Sequence, residues 1–169
     1  MKRLAPLLLL PAVAACVPSG HLAALQAPAP AFDPAAFFLG HTHGDGALSI
    51  VVSGTNPTLV EGHGHMDGQT LVLDQRVRWG DKPETTREWR LHDAGNGRWE
   101  GTLTDARGPV VGDVVGNRFH VRFPMKGGTK AEQWLYLQPG GSVVKNRMVV
   151  TKFGLPVASL DETITHLPE

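Results

Sequence analysis

Short runs of β-forming residues, broken roughly once per dozen residues by turn-forming pairs, fill almost the whole chain beyond residue 40. The breaks fall at Asn56-Pro57, Asp67-Gly68, Gly80-Asp81, Asn96-Gly97, Gly108-Pro109, Gly127-Gly128, Gly140-Gly141 and Gly154 to Pro156. Such breaks are too short for the crossover helices that parallel strands need, so successive runs must pair as antiparallel hairpins. The pattern predicts an all-β fold with about ten strands. An up-and-down sheet of that size twists and closes, which removes its edges, so an antiparallel barrel is expected over 33–169. Only a short helix precedes it: Asp33 and Pro34 make an N-cap and first-turn pair for Pro34 to Leu39, with Gly40 as the stop.

The barrel must hold together without disulfides, because the 169-residue chain has one cysteine. Its 16 basic and 16 acidic residues balance and form no basic run, so nucleic-acid binding is not expected. That cysteine, Cys16, ends the segment Val13-Ala14-Ala15-Cys16 behind Lys2, Arg3 and the apolar run from Leu4. The run is about half of the roughly 20 residues a spanning helix needs. It has the form of a bacterial lipoprotein signal, so residues 1–15 are read as the signal peptide and Cys16 as the lipidated N-terminus. Residues 16–32, rich in Ala and Pro, are read as a flexible tether. Val17 follows the cysteine where, by resemblance to enterobacterial sorting, Asp would retain the protein in the inner membrane. The expected location is the bacterial envelope, at the outer membrane and facing the periplasm.

Period-2 alternation assigns the faces of the strands. Arg87, Trp89 and Leu91 share one face, Trp99, Gly101, Leu103 and Asp105 another, and Asn117, Phe119, Val121 and Phe123 a third. All three read as inward, which predicts an apolar interior containing a few charged groups. An inward guanidinium needs a partner, and Asp105 on the adjacent strand is the nearest carboxylate.

Several of these pieces recur in a known order: Phe37 to Gly40, the Arg87-x-Trp89 pair, Gly101 to Asp105, Gly112, Gly116 and Asn117, Trp134 to Leu137, and Asn146 to Gly154. In this the chain resembles the uncharacterised bacterial lipoproteins of domain-of-unknown-function family 3833. The resemblance implies a small lipidated β-protein and no particular reaction. Glu132 and Gln133 stand where that family usually has paired aspartates. Phe38 to Gly46 is also similar to the first strand of calycin barrels such as lipocalins, with Thr42 in place of their Trp.

The candidate ligand site combines Arg87, Trp89, Trp99, Asp105 and Asn117 with Trp134, Asn146 and Lys152 from later strands. Arg87 or Lys152 would receive the head of an anionic amphiphile whose tail lies on the apolar lining, as in most small-molecule pockets. The competing reading is an Arg87–Asp105 ion pair that fixes strand register. Metal ligation would fall to His41 and His43 or to His63 and His65, since residues i and i+2 on a strand point the same way. These histidines are expected on the solvent face, and no metal or cofactor is assigned. Nucleophilic catalysis lacks a motif: there is no G-x-S-x-G, and Gly127 to Lys130 lies in a hairpin instead of before a helix. The expected function is non-catalytic binding of a small hydrophobic or lipidic ligand. The alternatives are a haem or metal protein using His120, His166 or the paired histidines, a hydrolase of envelope components, and a structural partner of another envelope protein.

Overall fold

The computed structural model describes residues 25–168. Ten strands follow one short helix: α1 (Pro34–Phe38), then β1 (Gly40–Ile50), β2 (Gly54–Asp67), β3 (Thr70–Trp79), β4 (Thr85–Gly95) and β5 (Arg98–Leu103). The second half adds β6 (Val110–Val115), β7 (Arg118–Pro124), β8 (Thr129–Leu137), β9 (Val143–Lys152) and β10 (Leu155–His166). Each strand pairs antiparallel with its sequence neighbours, and β1 closes on β10 from Thr42↔His166 to Ile50↔Ala158. The expected ten-stranded up-and-down barrel is the observed one. Its outer face carries charge at Glu61, Asp74, Arg76, Glu88 and Arg90, unlike the apolar band of a membrane-spanning barrel.

Turn chemistry explains the tight connections. Between β4 and β5 only Asn96 and Gly97 remain, with φ of 55° and 73°. Two left-handed residues in succession match the right-handed twist of the strands they join, and Asn-Gly tolerates that conformation best.

The barrel has two different ends. At one, α1 and the segment before it seal the opening. Asp33 caps α1 by accepting from the Ala36 N–H at 3.1 Å. Phe32, Phe37 and Phe38 are buried there, and the Phe32 ring packs 5.8 Å from both Phe37 and Phe119. The tether expected over 16–32 is therefore corrected for its described part. Residues 25–32 are docked: the Phe32 N–H donates to Gly116, and the Asn117 side chain bonds to Leu25 and Ala27. The signal peptide and Cys16 lie outside the described residues.

At the other end, the mouth, the hairpins β1–β2, β3–β4, β5–β6, β7–β8 and β9–β10 turn, and the segment after β5 is bridged to the β7–β8 tip through Ala106↔Met125. Burial along the inward positions follows this asymmetry. Near the sealed end Leu71, Leu73, Trp89, Leu91, Trp99, Phe119, Leu137 and Val144 are all buried. Nearer the mouth Leu48, Ile50, Val77, Trp79, Gln133, Met148 and Ala158 keep part of their surface exposed. The lumen is packed at its base, and near the mouth Leu103, Val110, Phe123, Ala131 and Val150 are buried as well, so only part of its upper wall is exposed.

Candidate functional site in the barrel lumen

A row of polar side chains crosses the wall of this lumen. Strand register places Trp79 opposite Thr58, Thr58 opposite Gly46, Gly46 opposite Glu162, and Glu162 opposite Asn146. All five are inward positions on five consecutive strands. Thr58, Asn146 and Glu162 are 4%, 4% and 8% exposed. Asn146 Nδ2 donates to Glu162 Oε2 at 2.8 Å. Thr58 Oγ1, Trp79 Nε1, Asn146 Oδ1 and Glu162 Oε1 are buried with no hydrogen-bond partner among the described residues. Unpaired buried polar atoms each cost about 1–3 kcal/mol, so four in one row set this band of the wall apart from the rest of the lumen.

Glycine makes the row geometrically feasible. Glu162 Oε1 lies over Gly44, where a Cβ would collide with it, and the Glu162 backbone crowds Gly46 in the same way. A side chain at Gly44 would displace the carboxyl, and one at Gly46 would displace the backbone of Asp161 and Glu162.

Burial raises the Glu162 pKa above its ordinary 4.5, against the opposing pull of Asn146 and Arg87. A raised folded-state value means that stability is fully present below 4.5 and is lost as pH rises through the folded value. Glu162→Gln keeps the shape without the proton. Between pH 5 and pH 8 the variant is expected to lose less urea resistance than the parent. His120, whose pKa is lowered chiefly by burial, slopes the other way below its ordinary 6.5, but it is common to both proteins and cancels in the difference.

Arg87 stands on the lumen wall near the mouth, although its partner is not the one expected. Its Nε donates to Gln75 Oε1 at 2.8 Å, and Trp89 Nε1 donates to the same oxygen at 2.8 Å. The guanidinium lies 5.8 Å from the Trp89 ring. Asp105 is corrected: β5 stops at Leu103, and Asp105 is exposed in the turn that follows, contributing only a longer-range field. Burial lowers the Arg87 pKa, and the carboxylate that most opposes this is Glu162, followed by Asp105.

The remaining candidates divide. Asn146 belongs to the row. Trp89 and Trp99 face inward and are packed into the core, edge-on to Phe123 and Phe119. Trp134 is corrected to the outer face, where it stacks on His120 at 5.0 Å and 7°. Its parity in β8 is opposite to that of inward Leu135. Lys152 is corrected to an exposed position at the β9–β10 tip, with its ammonium 5.7 Å from the Phe153 ring. Asn117 is corrected to a clamp whose amide is fully used by Leu25, Ala27 and Leu137. Glu162, Gln75, Thr58 and Trp79 were not singled out by sequence. The alternation Leu160, Glu162, Ile164 and Leu73, Gln75, Val77 carries the signal that finds two of them.

The paired histidines lie on the outer wall, whereas His166 meets the Phe37 carbonyl at 2.9 Å at the sealed end. His41 and His63 are cross-strand partners with rings 4.7 Å apart, and His65 follows at 6.2 Å from His63. They border a depression of about 440 Å³ across β1 to β4, shared with Glu61, Asp74, Arg76 and Glu88. Among the described residues no three His, Cys, Asp or Glu side chains are grouped to hold a metal.

A closed ten-stranded sheet sealed by an N-terminal helix, with polar groups in its lumen, defines a lipocalin-like β-barrel protein. The sequence profile of the DUF3833 family, proteins of unknown function, matches residues 10–166, and the chain belongs to that family. Two solved structures share the fold. The S-type phycobiliprotein lyase CPES from Guillardia theta superposes with a TM-score of 0.61 at 6% identity, over 78% of this chain and 89% of the lyase. A DUF3598-family protein of unknown function from Nostoc punctiforme gives 0.58 at 12% identity over 82% of this chain. This chain spans half the length of that second protein. Comparison with curated protein sequences finds no match.

Proposed function

We propose that this barrel is a non-catalytic carrier that holds a small, largely apolar ligand in its lumen by a polar head. The carrying observation is the row of four buried, unpartnered polar atoms, set in a lumen whose upper wall at Leu48, Ile50, Val77, Met148 and Ala158 is apolar and partly exposed. Apolar walls with a few convergent polar groups are the usual form of a small-molecule site. An acidic head group suits the polar end. Arg87 and Trp79 Nε1 can donate to it, and burial raises the Glu162 pKa, which lessens the repulsion its carboxylate exerts. The signal-like segment ending at Cys16 supports a lipid-anchored envelope location, where such amphiphiles are abundant.

Native mass spectrometry of the protein extracted from its own membrane is expected to find a small amphiphile bound. A dansyl-tagged long-chain fatty acid provides the quantitative probe. Arg87→Met is expected to weaken it about tenfold or more, since a hydrogen bond to a charged group contributes about 1.5–3 kcal/mol. Reduced stability with unchanged probe affinity would return Arg87 to a purely structural role and overturn the reading.

A further inference from the structure

The largest exposed apolar side chains of the described residues gather at the mouth. Val51 and Val52, at the β1–β2 tip, are 78% and 90% exposed; Phe153 and Leu155, at the β9–β10 tip, are 91% and 68% exposed. The two hairpins are neighbours because β1 pairs with β10, and the Val51 N–H donates to Val157 at 3.1 Å across the junction. An apolar cleft of about 230 Å³ opens between them at Ile50, Pro156 and Ala158.

Charge on this side of the rim has one sign, whereas the β3–β4 tip on the far side of β2 carries Asp81, Lys82 and Glu84. The next hairpin along the rim, β7–β8, is joined to β9 through Thr129↔Lys152 and Lys130↔Thr151. Residues 49–57, 124–130 and 150–157, which make up the three tips, contain Lys126, Lys130 and Lys152 and no Asp or Glu. Exposed Val, Leu and Phe flanked by lysines whose stems lie along apolar surface are the composition of a surface that seats at a membrane interface. Lys152 illustrates it, with its ammonium above the Phe153 ring.

We propose that this part of the rim docks on an anionic lipid surface, with Val51, Val52, Phe153 and Leu155 entering the acyl boundary and Lys126, Lys130 and Lys152 resting among the headgroups. The mouth then faces the membrane, and the cleft beside Ile50 and Ala158 lies at the docked edge. This deepens the carrier reading and rests on it for its purpose. The docking itself does not require an occupied lumen.

The test places an environment-sensitive nitrobenzoxadiazole label on the full chain carrying Cys16→Ser, at Val52→Cys on the rim or at Ser142→Cys in the β8–β9 turn of the sealed end. Vesicles of phosphatidylcholine with phosphatidylglycerol are added. The Val52 label is expected to shift to the blue and brighten about twofold or more, while the Ser142 label stays as in water. Replacing Val51 with Asp and Phe153 with Ser is expected to weaken the vesicle-induced response at Val52 about tenfold. These side chains are exposed, so melting should not change. The response should also fall with added salt, as a lysine rim requires. A shift at Ser142 alone, equal shifts at both sites, or none overturns the proposal. So does a shift at Val52 that needs no vesicles and follows protein concentration, which would assign the apolar tips to a second copy of the chain. Each of these failures leaves fatty-acid binding in the lumen to be judged by the Arg87 experiment alone.

Discussion

Phe119→Ala is expected to destabilise the barrel by about 3–5 kcal/mol, the range for deleting a large buried aromatic. Phe119 is 2% exposed and meets Phe32 and Trp99 at ring distances of 5.8 and 6.1 Å. Its ring also lies over Gly112, so closely that a Cβ there would collide with it. The vacated volume would sit beneath the sealed end, directly against the Phe32 ring. Urea denaturation monitored by tryptophan fluorescence reads the loss directly. Phe153→Ala supplies the contrast: the same chemical change at a side chain 91% exposed should leave the transition within about 0.5 kcal/mol of the parent.

Asn117→Ala is expected to cost about 3 kcal/mol and to free the N-terminal segment. One amide makes three bonds: Oδ1 accepts from the Ala27 N–H at 2.7 Å, and Nδ2 donates to the Leu25 and Leu137 carbonyls at 2.9 Å each. Each net bond is worth about 1 kcal/mol, and truncation also strands partners that are partly or wholly buried. Asn117→Asp should be at least as damaging. It keeps the shape, loses both donors and sets a carboxylate against two carbonyl oxygens. Amide hydrogen exchange separates this from general destabilisation. Protection at Ala27 and Phe32 should fall far more than protection in β3 or β8, because only the segment is released. Uniform loss across the barrel would mean that Asn117 supports β6–β7 and β8 alone. Phe119 and Asn117 meet the same segment, so their effects are not expected to add.

Asn117 shows how far side-chain parity carries and where it stops. Alternation through Asn117, Phe119, Val121 and Phe123 identifies the inward face correctly, yet it cannot say whether an inward amide meets a ligand or a strand of its own chain. Those partners lie 90 and 92 residues away along the sequence, at Ala27 and Leu25. Arg87 and Asp105 make the same point. They share parity and would be opposite one another had β5 continued, but the strand ends two residues early and Asp105 turns out to solvent. Trp134 fails for a different reason. The run Trp134-Leu135-Tyr136-Leu137 is apolar on both faces, so nothing in it tells which pair points in.

Glu162 is legible in principle from the alternation of β10. It sits between Leu160 and Ile164 at the spacing of an inward face, although Asp161 and Glu162 together look like an ordinary solvated pair. Its significance depends on Gly44 and Gly46, two glycines from the far end of the chain that leave room for its carboxyl.

Strand number, hairpin order and the capped helix were determined by the sequence itself, because each rests on interactions a few residues long: turn geometry, period-2 burial and N-cap hydrogen bonding. The clamped residues 25–32, the polar row and the lysine-flanked apolar rim were decided only by tertiary structure. Closing the barrel brings β1 against β10 and the first hairpin against the last, so the atoms that make a site here come from opposite ends of the chain. No local pattern encodes a meeting of that range.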